Sequence, residues 1–151
     1  MRGSRRFGNV GLCLVSSRFW TRRSQELRGD QMTDDGRGLL ELVGEYAAAA
    51  SLHDKGTRAG DRNLTNRSHD RLASVYRTLR GRGIDAQNTL LTLLEHADPA
   101  VRLWAGAHAL EFASEHGEPV LNALAAGPPS PEQLDAKYTL MQWRDGTLKF
   151  P

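Results

Sequence analysis

Five histidines, one cysteine and a run of arginines are the residues of this chain whose types could do chemistry. His53, His69, His96, His108 and His116 are the first place to look for a metal, and ligands on one helix must stand three or four residues apart. His108 and Glu111 are the one His-x-x-Glu pair on an expected helix. His108 falls among apolar residues on a helical wheel while Glu111 points elsewhere, so a hydrogen-bonded core histidine is the favoured reading and no metal is expected. Cys13 excludes an internal disulfide by being alone. No G-x-S-x-G elbow, phosphate loop or G-x-G-x-x-G turn occurs, and "GRGID" at 81–85 closes a helix instead of opening one after a strand. No enzyme and no cofactor are expected.

The arginines are better candidates. Arg62, Arg67, Arg71, Arg77 and Arg80 stand against Asp70 in one segment. A nucleic-acid surface needs such charges on one stripe, and these spread around more than half the wheel, which favours a solvated face with structural pairs. Asn66-Arg67 is the polar pair to examine first. It either bonds backbone near the first inter-helix turn or, with Arg71 one turn on, presents a binding surface; Asn66, Arg67 and Arg71 are the candidate binding residues.

The elements that would carry these residues are helical throughout: after Met32 each segment has the 3.6-residue period and none alternates as a strand does. A first helix is expected over 35–52, with Leu39, Leu42, Val43, Tyr46 and Ala50 on one face and Gly56 and Gly60 bracketing a turn. A second is expected over 62–80 and a third over 85–96. In "LLTLLEHADPAVRLWAGAHALE" (90–111), Asp98 caps a fourth helix with Pro99 at its first position, where the missing N–H is harmless. Val101, Trp104, Ala105, His108 and Phe112 share one face of that helix, and Leu103 and Leu110 share nearly the opposite one. A helix apolar on two sides must be covered on both, as in stacked helix pairs. A fifth helix is expected from Glu118-Pro119. A sixth is expected from Ser130, with Gln133 completing a capping box, to Asp145-Gly146. Trp104 and Trp143 are read as core, and "TLKFP" as an extended tail docked through Leu148 or Phe150.

The expected fold is therefore all-α: a short α-solenoid of about six helices in three antiparallel pairs, near the minimum such arrays need. No apolar run reaches the ~20 residues of a spanning helix. The net charge of +2 conceals a division, since residues 1–31 carry +5 and the remainder −3. The basic segment 1–31 is either a targeting segment or a translated leader before a true start at Met32, with 32–151 the helical domain. Arg28-Gly29-Asp30 can be spelled by purine-rich, ribosome-binding codons just upstream of that methionine.

Residues 90–111 resemble a HEAT repeat on Asp98-Pro99, Val101-Arg102, Ala105 and Ala109-Leu110. That resemblance implies that Arg102 bonds the turn or a neighbouring repeat and that the alanines admit close helix approach. Trp104 departs from the smaller residue expected there, and Gly106 interrupts the usual alanine pair, as if to make room for the indole. Residues 36–146 as a whole resemble a small bacterial family, the domain of unknown function 2019. The resemblance rests on Asn66-Arg67 with Leu72 and Tyr76, on Leu90-Leu91 and Leu94, on Val101-Arg102 with Ala105, and on Thr139-Leu140 with Trp143 before Gly146. It implies a helical, HEAT-like fold and supplies no activity. The expected role is a cytoplasmic, non-catalytic protein–protein interaction module. The alternatives are an immunity or accessory protein for a neighbouring toxin, and a nucleic-acid-binding domain using the Arg-rich second helix, which is disfavoured.

Overall fold

A computed structural model describes residues 36–151; the basic segment, Cys13 and Met32 lie outside the described residues. Six α-helices follow in order: α1 (Leu39–Ala59), α2 (Arg62–Gly81), α3 (Ile84–Asn88), α4 (Pro99–Ala109), α5 (Ser114–Ala125) and α6 (Pro131–Arg144). A 3-10 helix, Thr89–Glu95, continues α3. The described residues form an all-α array without a strand.

Local chemistry explains most boundaries. α1 runs on past Leu52 to Ala59 and stops at Gly60, whose φ of 69° is the left-handed conformation that ends helices. Gly56 is thus a helix residue and not part of a turn. A Cβ there would lie 2.7 Å from Thr65 Oγ1 and 2.8 Å from the Thr65 nitrogen, so its bareness lets α2 start hard against α1. Asp61 caps α2 by accepting from Leu64 N at 3.0 Å. The third segment is not one α-helix. The tighter 3-10 winding places residues three apart on one edge, and Leu90, Leu93 and Leu94 are buried by it.

The sharp reversal before α4 is held from three directions. The Asp98 carboxylate accepts from Ala100 N at 2.9 Å and from the Ser51 hydroxyl of α1 at 2.5 Å. Arg102 Nη1 donates to the carbonyls of His96 (2.6 Å) and Ala97 (3.1 Å), which is the turn-binding role implied by the repeat motif. Asp98 N in turn donates to His96 Nδ1 at 3.0 Å. Two leucine-rich helices can follow each other with so short a connection because side chains, not extra loop residues, take up the orphan backbone groups.

α5 starts earlier than Glu118, at Ser114, and holds Pro119 inside it. Its first turn is anchored because Gly117 presses on α4: a Cβ on Gly117 would come within 2.6 Å of the Gly106 carbonyl oxygen. Gly106 faces Leu121 Cγ at 3.2 Å from its would-be Cβ. The space Gly106 leaves therefore serves α5 and not the Trp104 indole. Ser130 caps α6 by accepting from Gln133 N at 3.1 Å, but the Gln133 side chain donates to the Gly127 carbonyl at 3.0 Å, so the cap is not the reciprocal box. The extended tail docks as expected, with Leu148 and Phe150 against the core and Phe150 edge-on to Trp143 at 6.4 Å between centroids.

Packing follows the chain, α2 on α1, the 3-10 helix on α4, α5 on α4 and α6 on α5. α4 lies between two apolar clusters. Val101, Trp104 and Ala105 join Leu42, Tyr46, Leu72, Val75, Tyr76, Leu79 and Leu90 on one side. Leu103 and Leu110 join Leu121, Ala136 and Leu140 on the other. Both Leu103 (3% exposed) and Leu110 (1%) are sealed. The first and last helices also meet, through Arg58 of α1 and Glu132 of α6.

Helix propensity alone makes Gly→Ala favourable by about 0.5–1 kcal/mol, and the two faces of the array decide otherwise for one glycine. Gly44→Ala, in the open on α1, is expected to stabilise by about that amount. Gly117→Ala is expected to destabilise by about 1–3 kcal/mol through forced separation of α4 and α5. Urea unfolding of both variants checks the pair; equal effects would mean that the α4–α5 approach is not tight.

Candidate functional site

Three of the five histidines come together. His53 of α1, His69 of α2 and His108 of α4 surround Trp104, with ring centroids 5.1, 5.6 and 5.9 Å from the indole and His53 6.0 Å from His69. His96 stays in the turn before α4 and His116 near the start of α5. Among the described residues no group of three His, Cys, Asp or Glu is placed to hold a metal ion.

His108 is the centre of a buried polar network. The Tyr46 hydroxyl meets its Nδ1 at 2.5 Å, and the Tyr76 ring stacks on it at 4.0 Å with 7° between planes. Burial first, then Tyr76, raises Tyr46 well above its ordinary pKa, so the hydroxyl keeps its proton. Assigned that way, Tyr46 donates and Nδ1 accepts, which leaves the imidazole proton on Nε2. The Tyr76 hydroxyl donates to Glu111 at 2.5 Å and accepts from Gln87 Nε2 at 3.2 Å. Arg80 closes the chain with an ion pair to Glu111 and a bond to the Pro151 carbonyl at 2.7 Å. Glu111 thus does turn away from His108, toward Tyr76 and Arg80.

Desolvation keeps the imidazoles of His53 and His108 neutral. Burial, with the charges of His69 and Arg80, pulls His108 down to about 3, and burial with His69 pulls His53 down to about 4. His53 Nε2 is buried without a hydrogen-bond partner. The network is a stack of aromatic and polar groups inside the core, with Tyr46 and Tyr76 fully covered.

A second cluster lies where α1 meets α6. Arg58 Nε donates to both oxygens of Asp54 (3.0 and 2.8 Å), and its other arm pairs with Glu132, which is itself buried. Asp135, one turn along α6, has an oxygen buried without a partner. Burial first, then the charges of Glu132 and Asp54, pushes Asp135 up to about 7. Beside it α6 exposes Leu134, Tyr138 and Met141, each about half accessible (47, 45 and 48%). Spacings of four and three residues put them on one face. Lys137 and Arg144 are also exposed on this helix.

The candidate binding residues of α2, Asn66, Arg67 and Arg71, all lie at the surface. Asn66 and Arg67 are exposed, and Arg67 Nε donates to the Asn63 carbonyl of its own helix at 3.3 Å. Arg71 Nη2 reaches back to Glu45 of α1 at 2.8 Å, a carboxylate that also pairs with Arg37. With Arg80 on Glu111, three of the arginines of α2 are engaged within the chain. Of the repeat motif, Asp98, Pro99 and Arg102 build the turn, while Val101, Trp104 and Ala105 are buried in the core. Trp143 is half-buried, its Nε1 donating to Glu118 at 2.9 Å.

The sequence reading missed the pairings of His53, His69 and the two tyrosines, and the α1–α6 contact. A signal for the first existed: Tyr46 and His53 are seven apart on α1, as are His69 and Tyr76 on α2, so each pair lies on one core-facing stripe. Nothing along the chain pairs Arg58 with Glu132, 74 residues away.

The domain of unknown function DUF2019 matches residues 40–143. Among solved structures the chain is similar to the crystal structure of the protein RPA1889 from Rhodopseudomonas palustris CGA009. The two are 26% identical with a TM-score of 0.70, over 76% of this chain and 94% of that one. No curated protein matches the chain.

Two outcomes follow from the buried network. Tyr46→Phe strands His108 Nδ1 without its donor and is expected to cost about 1–3 kcal/mol in urea unfolding, whereas Tyr138→Phe on the exposed face changes stability by less than about 0.5 kcal/mol. Stability also depends on pH. The folded values of His53 and His108 lie below the ordinary 6.5, so their contribution is complete above about pH 6.5 and is lost as pH falls toward about 4. Asp135 works oppositely, its contribution being present below 3.8 and lost as pH rises through about 7. Unfolding free energy of an Asp135→Asn variant, which removes that opposing titration, is therefore expected to fall between pH 6.5 and 4.5; a flat profile would contradict neutral buried imidazoles.

Proposed function

Because the chain belongs to the DUF2019 family, whose description carries no activity, we propose from its geometry that it is a non-catalytic protein–protein interaction module that binds through the outer face of α6. The observation that carries this reading is the stripe of Leu134, Tyr138 and Met141, apolar side chains left half in water on one face of the last helix. Leu39, Leu40 and Leu52 of α1 and Ile84 of α3 are exposed too, but Leu52 stands twelve residues from Leu40 and Ile84 is on another helix; single exposed apolar residues are ordinary, whereas a contiguous set marks a contact surface. Tyrosine and methionine are also residue types enriched in such contacts.

The placement of the reactive side chains supports the non-catalytic half of the reading. His108 is 4% exposed and its partners Tyr46 and Tyr76 are fully covered, so a substrate would have to open the core to reach them. Engagement of Arg67, Arg71 and Arg80 within the chain supports a protein partner over a nucleic acid, since phosphate contacts require free cations along a shared groove. No described helix is long and apolar enough to cross a membrane. A cytoplasmic setting belongs to this proposal and rests on the single cysteine of the chain.

Affinity capture from the native host with the full chain, compared with Tyr138→Glu and Met141→Glu, tests the reading. A partner retained by the unchanged chain is expected to drop at least about tenfold with either variant, while the thermal unfolding midpoint stays within about two degrees. A partner retained equally by all three would move the binding surface off α6.

A further inference from the structure

Resting on the α6 contact face just proposed, we infer that this face takes a partner segment that lays apolar side chains over Leu134, Tyr138 and Met141 and seats a lysine or arginine against Asp135, beside Asp54. The charge at the α1–α6 contact calls for a cation. Three carboxylates, Asp54, Glu132 and Asp135, meet there with one guanidinium, and Arg58 spends its donors on Asp54 and Glu132. Asp135 Oδ1 is left buried without a donor. Buried polar atoms are nearly always satisfied in folded proteins, and Asp135, a partly exposed residue, stands on the flank of an exposed apolar stripe.

Position makes the two features one surface. Asp135 follows Leu134 directly and precedes Tyr138 by three residues, so at 100° per residue it sits about 60° around the helix from the tyrosine. A side chain reaching past Tyr138 meets its carboxylate. Burial and like charge already hold Asp135 near neutral pH in its titration, the behaviour of a carboxylate short of positive neighbours.

A second copy of this chain fits less well. A two-fold contact brings the same patch of both copies together. An antiparallel α6–α6 contact centred on Tyr138 sets the Lys137 and Arg144 flank of one copy against the same flank of the other. Like charges then face each other, and three half-exposed side chains supply only a fraction of the roughly 800 Å² per partner of a standard interface. A short segment carrying apolar residues and one cation matches both the size and the charge.

Selection of random 16-residue peptides displayed on phage against the immobilised full chain tests this. Selected peptides are then measured by fluorescence anisotropy on the unchanged chain, Tyr138→Glu, Asp135→Asn and Asp135→Glu, with circular dichroism confirming that each variant is folded. The expected result is enrichment of Lys or Arg next to apolar residues. Binding should be lost with Tyr138→Glu, weakened at least about tenfold by Asp135→Asn, and largely kept by Asp135→Glu. Peptides that need Tyr138 but show no basic enrichment and ignore Asp135→Asn would overturn the cation inference and leave the α6 face standing. Binders indifferent to every variant, or no binders at all, would overturn both.

Discussion

The structure depends on one constraint: α4 is apolar on two sides and must be covered on both. Val101, Trp104 and Ala105 face the cluster built by α1, α2 and the 3-10 helix, and Leu103 and Leu110 face the cluster built by α5 and α6. A helix of this kind cannot sit at a surface, because exposing either side would return large apolar areas to water at roughly 25 cal/mol per Å². The rest of the array is arranged around satisfying it. Gly106 and Gly117 let α5 approach closely enough to close one side. The Asp98–Pro99 turn, clamped by Ser51 and Arg102, brings α4 back onto the 3-10 helix that precedes it.

Within the first cluster the polar groups are as constrained as the apolar ones. Tyr46, His108, Tyr76, Glu111 and Arg80 form one connected set drawn from α1, α2 and the end of α4. Leaving any member of such a set unpaired in a low-dielectric interior costs more than the pair contributes when made. The set therefore rewards one relative placement of three helices. The burial that achieves this also keeps the His108 imidazole neutral and out of reach of solvent.

At the other end of the array the balance is different. The contact of α1 with α6 is ionic, partly exposed and unequal in charge, with Arg58 between Asp54 and Glu132 and with Asp135 left over. Leu134, Tyr138 and Met141 stand beside it in water. The core-facing side of this helix is filled with Ala136, Thr139 and Leu140, so the stripe is not a leftover of a poorly packed core. It is the opposite face of a well-packed helix.

Much of this was legible in the residues alone. The helical class, the second helix at 62–80, the Asp98 and Ser130 caps, the docked tail and the two-sided burial of α4 all follow from short-range rules, in which periodicity, a cap or a proline acts over a few residues. The 3-10 winding of 89–95 and the early start of α5 at Ser114 did not follow, because packing against α4 overrides weak local preference there. Gly56 and Gly106 read as a turn and as room for an indole, and only the neighbouring helices show that each admits a close approach. Periodicity along the chain is enough to say which residues of each helix face inward. Which inward faces meet is visible in the folded array alone, where Tyr46 finds His108 across 62 positions and Arg58 finds Glu132 across 74. Those contacts depend on how whole helices cross, and no local spacing encodes that.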